Sequence, residues 1–267
     1  MVDTGTYLYA VARSLDGRLL DAVTGMQGHP VRTIDDGELV AVVSTVGLDE
    51  FGEDGLRRNL ENLRWLEATA RGHDEVVRRA AAGTSALAPF RLATICRSDQ
   101  GVLERVDELR TELDEALDRI EGRSEWSIKA YQRNLIETTG EATVSGTPPS
   151  AGSLATAARG TGVSYLERRR AQLSANARAN ARMTSQADRL YQAISSAADA
   201  SRRLPSQDRR LTGRSETMTL NGAFLVQEAR TKQFLHFVAD LEPRYPTLCL
   251  EIDGPWPPYS FSTLDSP

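Results

Sequence analysis

Cysteine and lysine are scarce in this chain: Cys96 and Cys249, Lys129 and Lys232, two of each in 267 residues. The cysteines sit far apart inside apolar runs (ATIC, LCLEI) with no Cys or His at ligand spacing, which excludes a disulfide framework and a structural zinc site. Each reads as a small buried thiol. Histidine is almost as rare, with only His29, His73 and His236, and no serine lies in a G-x-S-x-G elbow. An acyl-transfer nucleophile therefore lacks its base. His73 stands in HDEVV without the second histidine of a zinc-protease pair and reads as a core or solvent-facing helix residue. The glycines of ARGTGVS (Arg159 to Ser164) could form an anion-binding turn, but they lack the Lys-Ser/Thr of a P-loop and follow a flexible stretch, so linker glycine is the plainer reading. No catalytic, cofactor-binding or metal-binding residue is assigned. No apolar run approaches the roughly 18 residues needed to span a bilayer. The start, MVDTGTYLYAVARSLDGR, is acidic where a secretory signal would be basic. The expectation is a soluble cytoplasmic protein, neither membrane-bound nor enzymatic.

What is present is a segregated charge. The chain carries 32 Lys and Arg against 37 Asp and Glu, a net charge of −5. Between Arg159 and Arg214, twelve arginines face only Glu167, Asp188, Asp199 and Asp208, so that stretch is +8 and the remainder −13. A net acidic chain argues against a generic nucleic-acid binder. Arginine in place of lysine, with abundant alanine, also fits a GC-rich coding bias, so composition alone does not make the stretch a binding patch. A solvated face, a protein partner and nucleic acid all remain readings of it.

Hydrophobic periodicity gives an α+β chain. Thr6 to Ala12 (TYLYAVA) and Glu38 to Ser44 (ELVAVVS) are continuous apolar runs, expected as strands covered on both faces, with a shorter strand at Pro30 to Ile34. Leu56, Leu60 and Leu63 recur at helical spacing, and Val76, Val77 and Ala80 do so after Gly72, predicting two helices or one broken at Gly72. A strand is expected in FRLATIC after Pro89. Ser98 is then placed to cap one helix carrying Val102, Val106, Leu109, Leu113, Ala116 and Ile120, stopped by Gly122.

The length suggests two domains, 1–123 and 124–267. In the second, Glu125 to Tyr131 alternates as a strand, and Thr138 to Gly162 reads as a mobile loop. Tyr165 to Leu204 reads as a long helix with Leu166, Leu173, Ala177, Met183, Ala187, Leu190 and Ile194 on an intermittent stripe, ended by Pro205. Arg209 to Leu220 and Asn221 to Gln227 resemble two strands joined at Asn221-Gly222, followed by a helix from Thr231, as a possible cap, to Leu241 and a strand at Thr247 to Ile252. The order strand, helix, strand, strand, helix, strand is that of a modified ferredoxin-like (βαββαβ) domain with a long helical insertion. The tail GPWPPYSF sets Trp256, Tyr259 and Phe261 among prolines, where aromatics either pack back on the domain or dock on a partner.

Taken together, TYLYAV, LVAVVSTV from Leu39, HDEVV at His73, EWSIKAY at Glu125, YLERRR at Tyr165, NGAFLV at Asn221 and GPWPPYSF resemble the gas vesicle protein F/L family (GvpF/GvpL), in the family's order and over nearly the whole chain. The tail and the Tyr-Leu-x-x-Arg-Arg run are the most specific pieces. Where the family usually reads Pro-Leu-Arg-Phe-Gly-Thr, this chain has APFRLATIC at Ala88 to Cys96. The resemblance implies an N-terminal α+β domain, a C-terminal modified ferredoxin-like domain, and an accessory or minor structural role in gas vesicle assembly. Its implied partners are the hydrophobic shell protein GvpA and other accessory Gvp proteins, at the gas vesicle, and no catalytic residues come with it. The residues expected to meet partners are Arg168, Arg169, Arg170, Trp256 and Tyr259. The competing expectation is a ferredoxin-like small-molecule or nucleotide sensor using the loop around Gly160 as an anion site.

Overall fold

A computed structural model describes residues 3–133, 161–207 and 213–262. The expected mobile loop, as far as residue 160, lies outside the described residues, and with it Arg159 and Gly160. The chain is α+β, with two antiparallel sheets. The first contains β1 (Thr4–Ala12), β2 (Val31–Asp36), β3 (Leu39–Gly47), β4 (Leu87–Pro89) and β5 (Ile95–Cys96), in the order β2-β3-β1-β4 with β5 also on β1. From Gly5 to Ala12 every β1 residue is buried, as the unbroken apolar run requires. A bulge between Leu8 and Ala10 adds a residue to β1, so Tyr7 and Tyr9 face one core and Leu8 and Val11 the other.

Short helices α1 (Leu48–Phe51) and α2 (Glu53–Asn59) lead to α3 (Leu63–Ala81) on the tyrosine side of the sheet. The break falls at residues 60–62, where Asn62 Oδ1 accepts from the N–H groups of Arg64 and Trp65, and not at Gly72. Gly72 stays helical and leaves room for Met26, whose methyl would lie 3.1 Å from a Cβ there. The strand expected in FRLATIC after Pro89 forms only at its end, where Ile95 and Cys96 pair with β1 as β5. Leu87–Pro89 pairs with β1, whereas Phe90 turns into the core and Ala93 takes a positive φ, so residues 90–94 cross the β1 bulge without strand structure. On the opposite side lie α4 (Asp99–Glu108), capped by Ser98 as expected, and α5 (Arg110–Ile120). The expected single helix kinks at Leu109, yet all six residues of its apolar stripe are buried.

The second sheet is ordered β7-β8-β6-β9, from β6 (Arg123–Gln132), β7 (Ala200–Arg203), β8 (Met218–Gln227) and β9 (Leu248–Trp256). Helices α6 (Thr161–Ser195) and α7 (Thr231–Leu241) cover one of its faces. The long helix does not run to Pro205. It stops at Ser195, and Asp199 holds the following strand against β8, its N–H bonded to Leu225 O and its carboxylate accepting from Gln227 N. Nor is there a hairpin at Asn221-Gly222. Both lie within β8, where a Cβ on Gly222 would meet the Phe224 ring at 2.7 Å and Asn221 Nδ2 donates to Pro205 O. Thr231 opens α7 after a 3-10 turn and does not cap it. The β-α-β-β-α-β order holds nonetheless, because β7 supplies the second strand; of the strand expected at Arg209 to Leu220, residues 209–212 lie outside the described residues and Met218 to Leu220 belong to β8. Alternate residues of β8 point opposite ways: Phe224 and Val226 pack under α6 and α7, and Ala223 and Leu225 join Leu8, Leu113 and Ile120 in one core shared by both sheets.

Candidate interaction surfaces

The C-terminal segment ties the sheets together. Beyond β9, Pro257 and Pro258 are buried and the chain turns back, with the N–H groups of Phe261 and Ser262 both bonded to Pro258 O. Glu125 of β6 is 8% exposed and receives Ser260 N and Ser260 Oγ, each at 2.7 Å, one on each carboxylate oxygen. Burial pushes the Glu125 carboxyl above its usual range, and the two Ser260 bonds pull against that shift. Arg119 donates to Phe261 O, and the Phe261 ring enters the shared core. Tyr259 packs into the other core of the first sheet, its ring 6.3 Å from that of His73.

Around His73 lies a buried polar cluster that the sequence did not disclose. Tyr7 Oη is 3.0 Å from His73 Nδ1 and also receives Ala93 N–H at 2.9 Å. Its own proton is thus directed to Nδ1, which assigns the ring proton to Nε2. Nε2 and the Tyr259 hydroxyl are both buried without a well-aligned partner. Tyr9 Oη pairs with Ser44 Oγ at 2.7 Å and receives Met26 N–H. Burial pushes His73 down to about 4, against a smaller opposing pull from the Phe90 backbone, and raises both Tyr7 and Tyr259. This histidine is held neutral among tyrosines that resist ionisation, and among the described residues no serine or cysteine is hydrogen-bonded to it.

Trp256 and Tyr259 thus face differently. Trp256, 37% exposed, borders a groove of about 270 Å³ with Arg78, Leu87, Ile120, Arg123 and Pro255, whereas the Tyr259 hydroxyl points inward. Neither Arg169 nor Arg170 lines that groove. Arg169 and Arg170 stand on α6, whose described side chains pack towards its C-terminal end, through Ala187, Leu190 and Ile194. From Arg169 to Arg182 every described side chain is exposed, Leu173 by 62%. The side chain of Arg168 lies outside the described residues. Of the expected contact residues, the structure places Arg169 and Arg170 on a helical arm and Trp256 at a proline-lipped groove, with Tyr259 turned inward.

The cysteines are free and half-buried rather than fully enclosed, because Cys96 lies on two-residue β5 and Cys249 on edge strand β9. Among the described residues no cluster of His, Cys, Asp and Glu is placed to hold a metal ion, and no helix is long and apolar enough to cross a membrane.

Two linked antiparallel sheets and an exposed basic helix define the chain as an α+β protein. Comparison with known proteins gives the family. Residues 5–263 match the family described as gas vesicle synthesis protein GvpL/GvpF, and the chain belongs to it. It is 36% identical over 258 residues to gas vesicle protein L of Streptomyces sp. (strain CB03234), covering 97% of this chain and 92% of that one. To gas vesicle protein F of the same strain it is 28% identical over 259 residues, covering 96% and 98%. The crystal structure of GvpF from Anabaena sp. PCC7120 superposes with a TM-score of 0.69 at 17% identity over 98% of both chains, and that of GvpF from Microcystis aeruginosa with 0.64 at 17% over 97% and 99%. At such identity the two crystal structures establish the fold. The family match ties the chain to gas vesicle formation.

Proposed function

We propose that this protein is a non-enzymatic accessory or minor structural protein of gas vesicle assembly that binds the hydrophobic shell protein GvpA and other accessory Gvp proteins in the cytoplasm. The observation that carries this reading is the family match across residues 5–263. A shell subunit with a strongly apolar face aggregates before it is incorporated, and a partner that covers that face prevents this. In this reading the arm of α6 captures partners through Arg168, Arg169 and Arg170, with electrostatic attraction raising the encounter rate. Trp256 supplies an apolar contact at the groove and Tyr259 holds the segment that presents it. Residues 1–123 and 124–267 act as two domains joined by the C-terminal segment.

The test is co-purification with GvpA and each accessory Gvp protein at low and moderate salt, using the native chain and an R168E/R169E/R170E variant. Capture by the native chain and its loss, with loss of salt dependence, in the variant is expected. Undiminished capture by a folded variant would remove the arm from the mechanism. Failure of the native chain to capture any of them would sink the assembly reading.

A further inference from the structure

The arm carries a second basic face, distinct from Arg169 and Arg170. At 3.6 residues per turn, Arg178, Arg182 and Arg189 fall within about 40° of one another, on the side of α6 away from packed Ala187, Leu190 and Ile194. All three are exposed, and among the described residues no carboxylate pairs with them; Asp188, the acid beside Arg189, is bonded to Arg203. Arg178 and Arg182 are like charges four apart, an arrangement that works against the helix. A complementary pattern occurs elsewhere on the chain. Glu112 and Glu115 of α5 are exposed like charges three apart, with no cation paired to them among the described residues. Their neighbours Asp107, Glu108, Asp114 and Asp118 pair with Arg110, Arg105 and Arg13. Residues 99–120 hold eight acids and three arginines, net −5, whereas residues 161–195 hold six arginines and two acids, net +4.

Within one molecule these faces cannot meet. Helix α6 packs on the Phe224 and Val226 side of the second sheet, and α4 and α5 pack on its Ala223 and Leu225 side. The sheet stands between them. Two separate, opposite and unsatisfied charge patterns on opposite sides of one molecule match between copies.

We propose that the Arg178, Arg182 and Arg189 stripe docks on Glu112 and Glu115 of a second copy of this chain, giving a salt-sensitive head-to-tail self-association. The contact is heterologous, so it either closes into a reciprocal dimer or extends along a row of copies. It uses a different face of the arm from Arg169 and Arg170, so one helix serves a copy of this chain and a separate partner.

The test is sedimentation velocity of the purified full chain, alone, at about 50 mM and about 500 mM salt, between which the screening length falls from about 14 to about 4 Å. Concentration-dependent association at low salt, weakened at least tenfold at high salt, is expected. R178E/R182E and E112R/E115R, each checked by circular dichroism, should be monomeric separately and associate when mixed, because the mixture restores opposite charges at the contact. A native chain that stays monomeric at low salt, association that survives either reversal, or a mixture that fails to associate would overturn the proposal. Since no Gvp partner is present, failure here leaves the partner-capture reading intact, and the converse also holds.

Discussion

Replacing His73 by asparagine should remove most of a pH dependence of stability that the buried imidazole imposes. Asparagine sets an amide where Nδ1 sits, so Tyr7 keeps a partner, but it cannot take up a proton. In the folded chain His73 is 4% exposed and is held down at about 4, whereas an unfolded chain protonates it near its ordinary value of about 6.5. Between those values the unfolded state binds more protons, so stability falls as pH falls from 6.5 towards 4 and is unaffected above and below that window. The whole shift corresponds to about 3 kcal/mol, of which about 2 kcal/mol is lost between pH 7 and pH 4.5. That is a sizeable part of the 5–15 kcal/mol typical of a folded domain. Glu125 acts in the opposite direction: its raised pKa means the folded state holds that proton more readily, which adds stability as pH falls through the carboxylate range. Both chains carry Glu125, so its contribution cancels in their difference. Urea unfolding of the native chain and H73N at pH 7, 6, 5 and 4.5 measures that difference. The native chain should lose about 2 kcal/mol more than the variant across the series; parallel curves would refute the argument that the imidazole is kept neutral by burial.

Two further predictions concern the joint between the sheets. Glu125→Ala leaves Ser260 N–H without its acceptor and should cost about 2 kcal/mol, with faster hydrogen exchange at residues 259–262; unchanged exchange there would mean the carboxylate does not hold the segment. Leu113→Ala opens a cavity at a side chain with no exposure, in the core to which both sheets contribute, and should cost about 3 kcal/mol. Because that core is shared, thermal unfolding should shift as a single transition, and two transitions of which only one moved would contradict a shared core.

The sequence was most informative where one face of an element meets one core. The stripe from Val102 to Ile120 was legible despite the kink at Leu109, because the kink leaves the apolar phase unchanged. Errors arose where a distant contact overrides a local signal. Gly72 looks like a helix break, but it accommodates Met26, and Asn221-Gly222 looks like a turn, but it lies inside a strand to admit the Phe224 ring. Neither contact has a signature in local spacing. The exposed half of α6 did leave one. Leu173 and Ala177 fall roughly 40 to 80° around the helix from Ala187, on the side away from Leu190 and Ile194, so the apparent stripe is two faces, of which only the later one packs. Angular phase would have separated arm from core where residue type alone did not.

The tail poses the same problem on a smaller scale: Tyr259 and Phe261 pack back on the fold, and Trp256 stays exposed. Prolines at 255, 257 and 258 restrict the backbone as it leaves β9, and the turn that follows, with the N–H groups of Phe261 and Ser262 on Pro258 O, aims neighbouring side chains different ways. Tyr259 and Phe261 are driven into two cores of the first sheet, and Glu125 fixes Ser260 between them, whereas Trp256 is left on the rim of the groove. The inward residues make the outward one stationary. An exposed aromatic whose backbone is already ordered loses less entropy on contact than one on a free tail, so under the proposed function Trp256 would meet a partner from a backbone that the fold has already ordered.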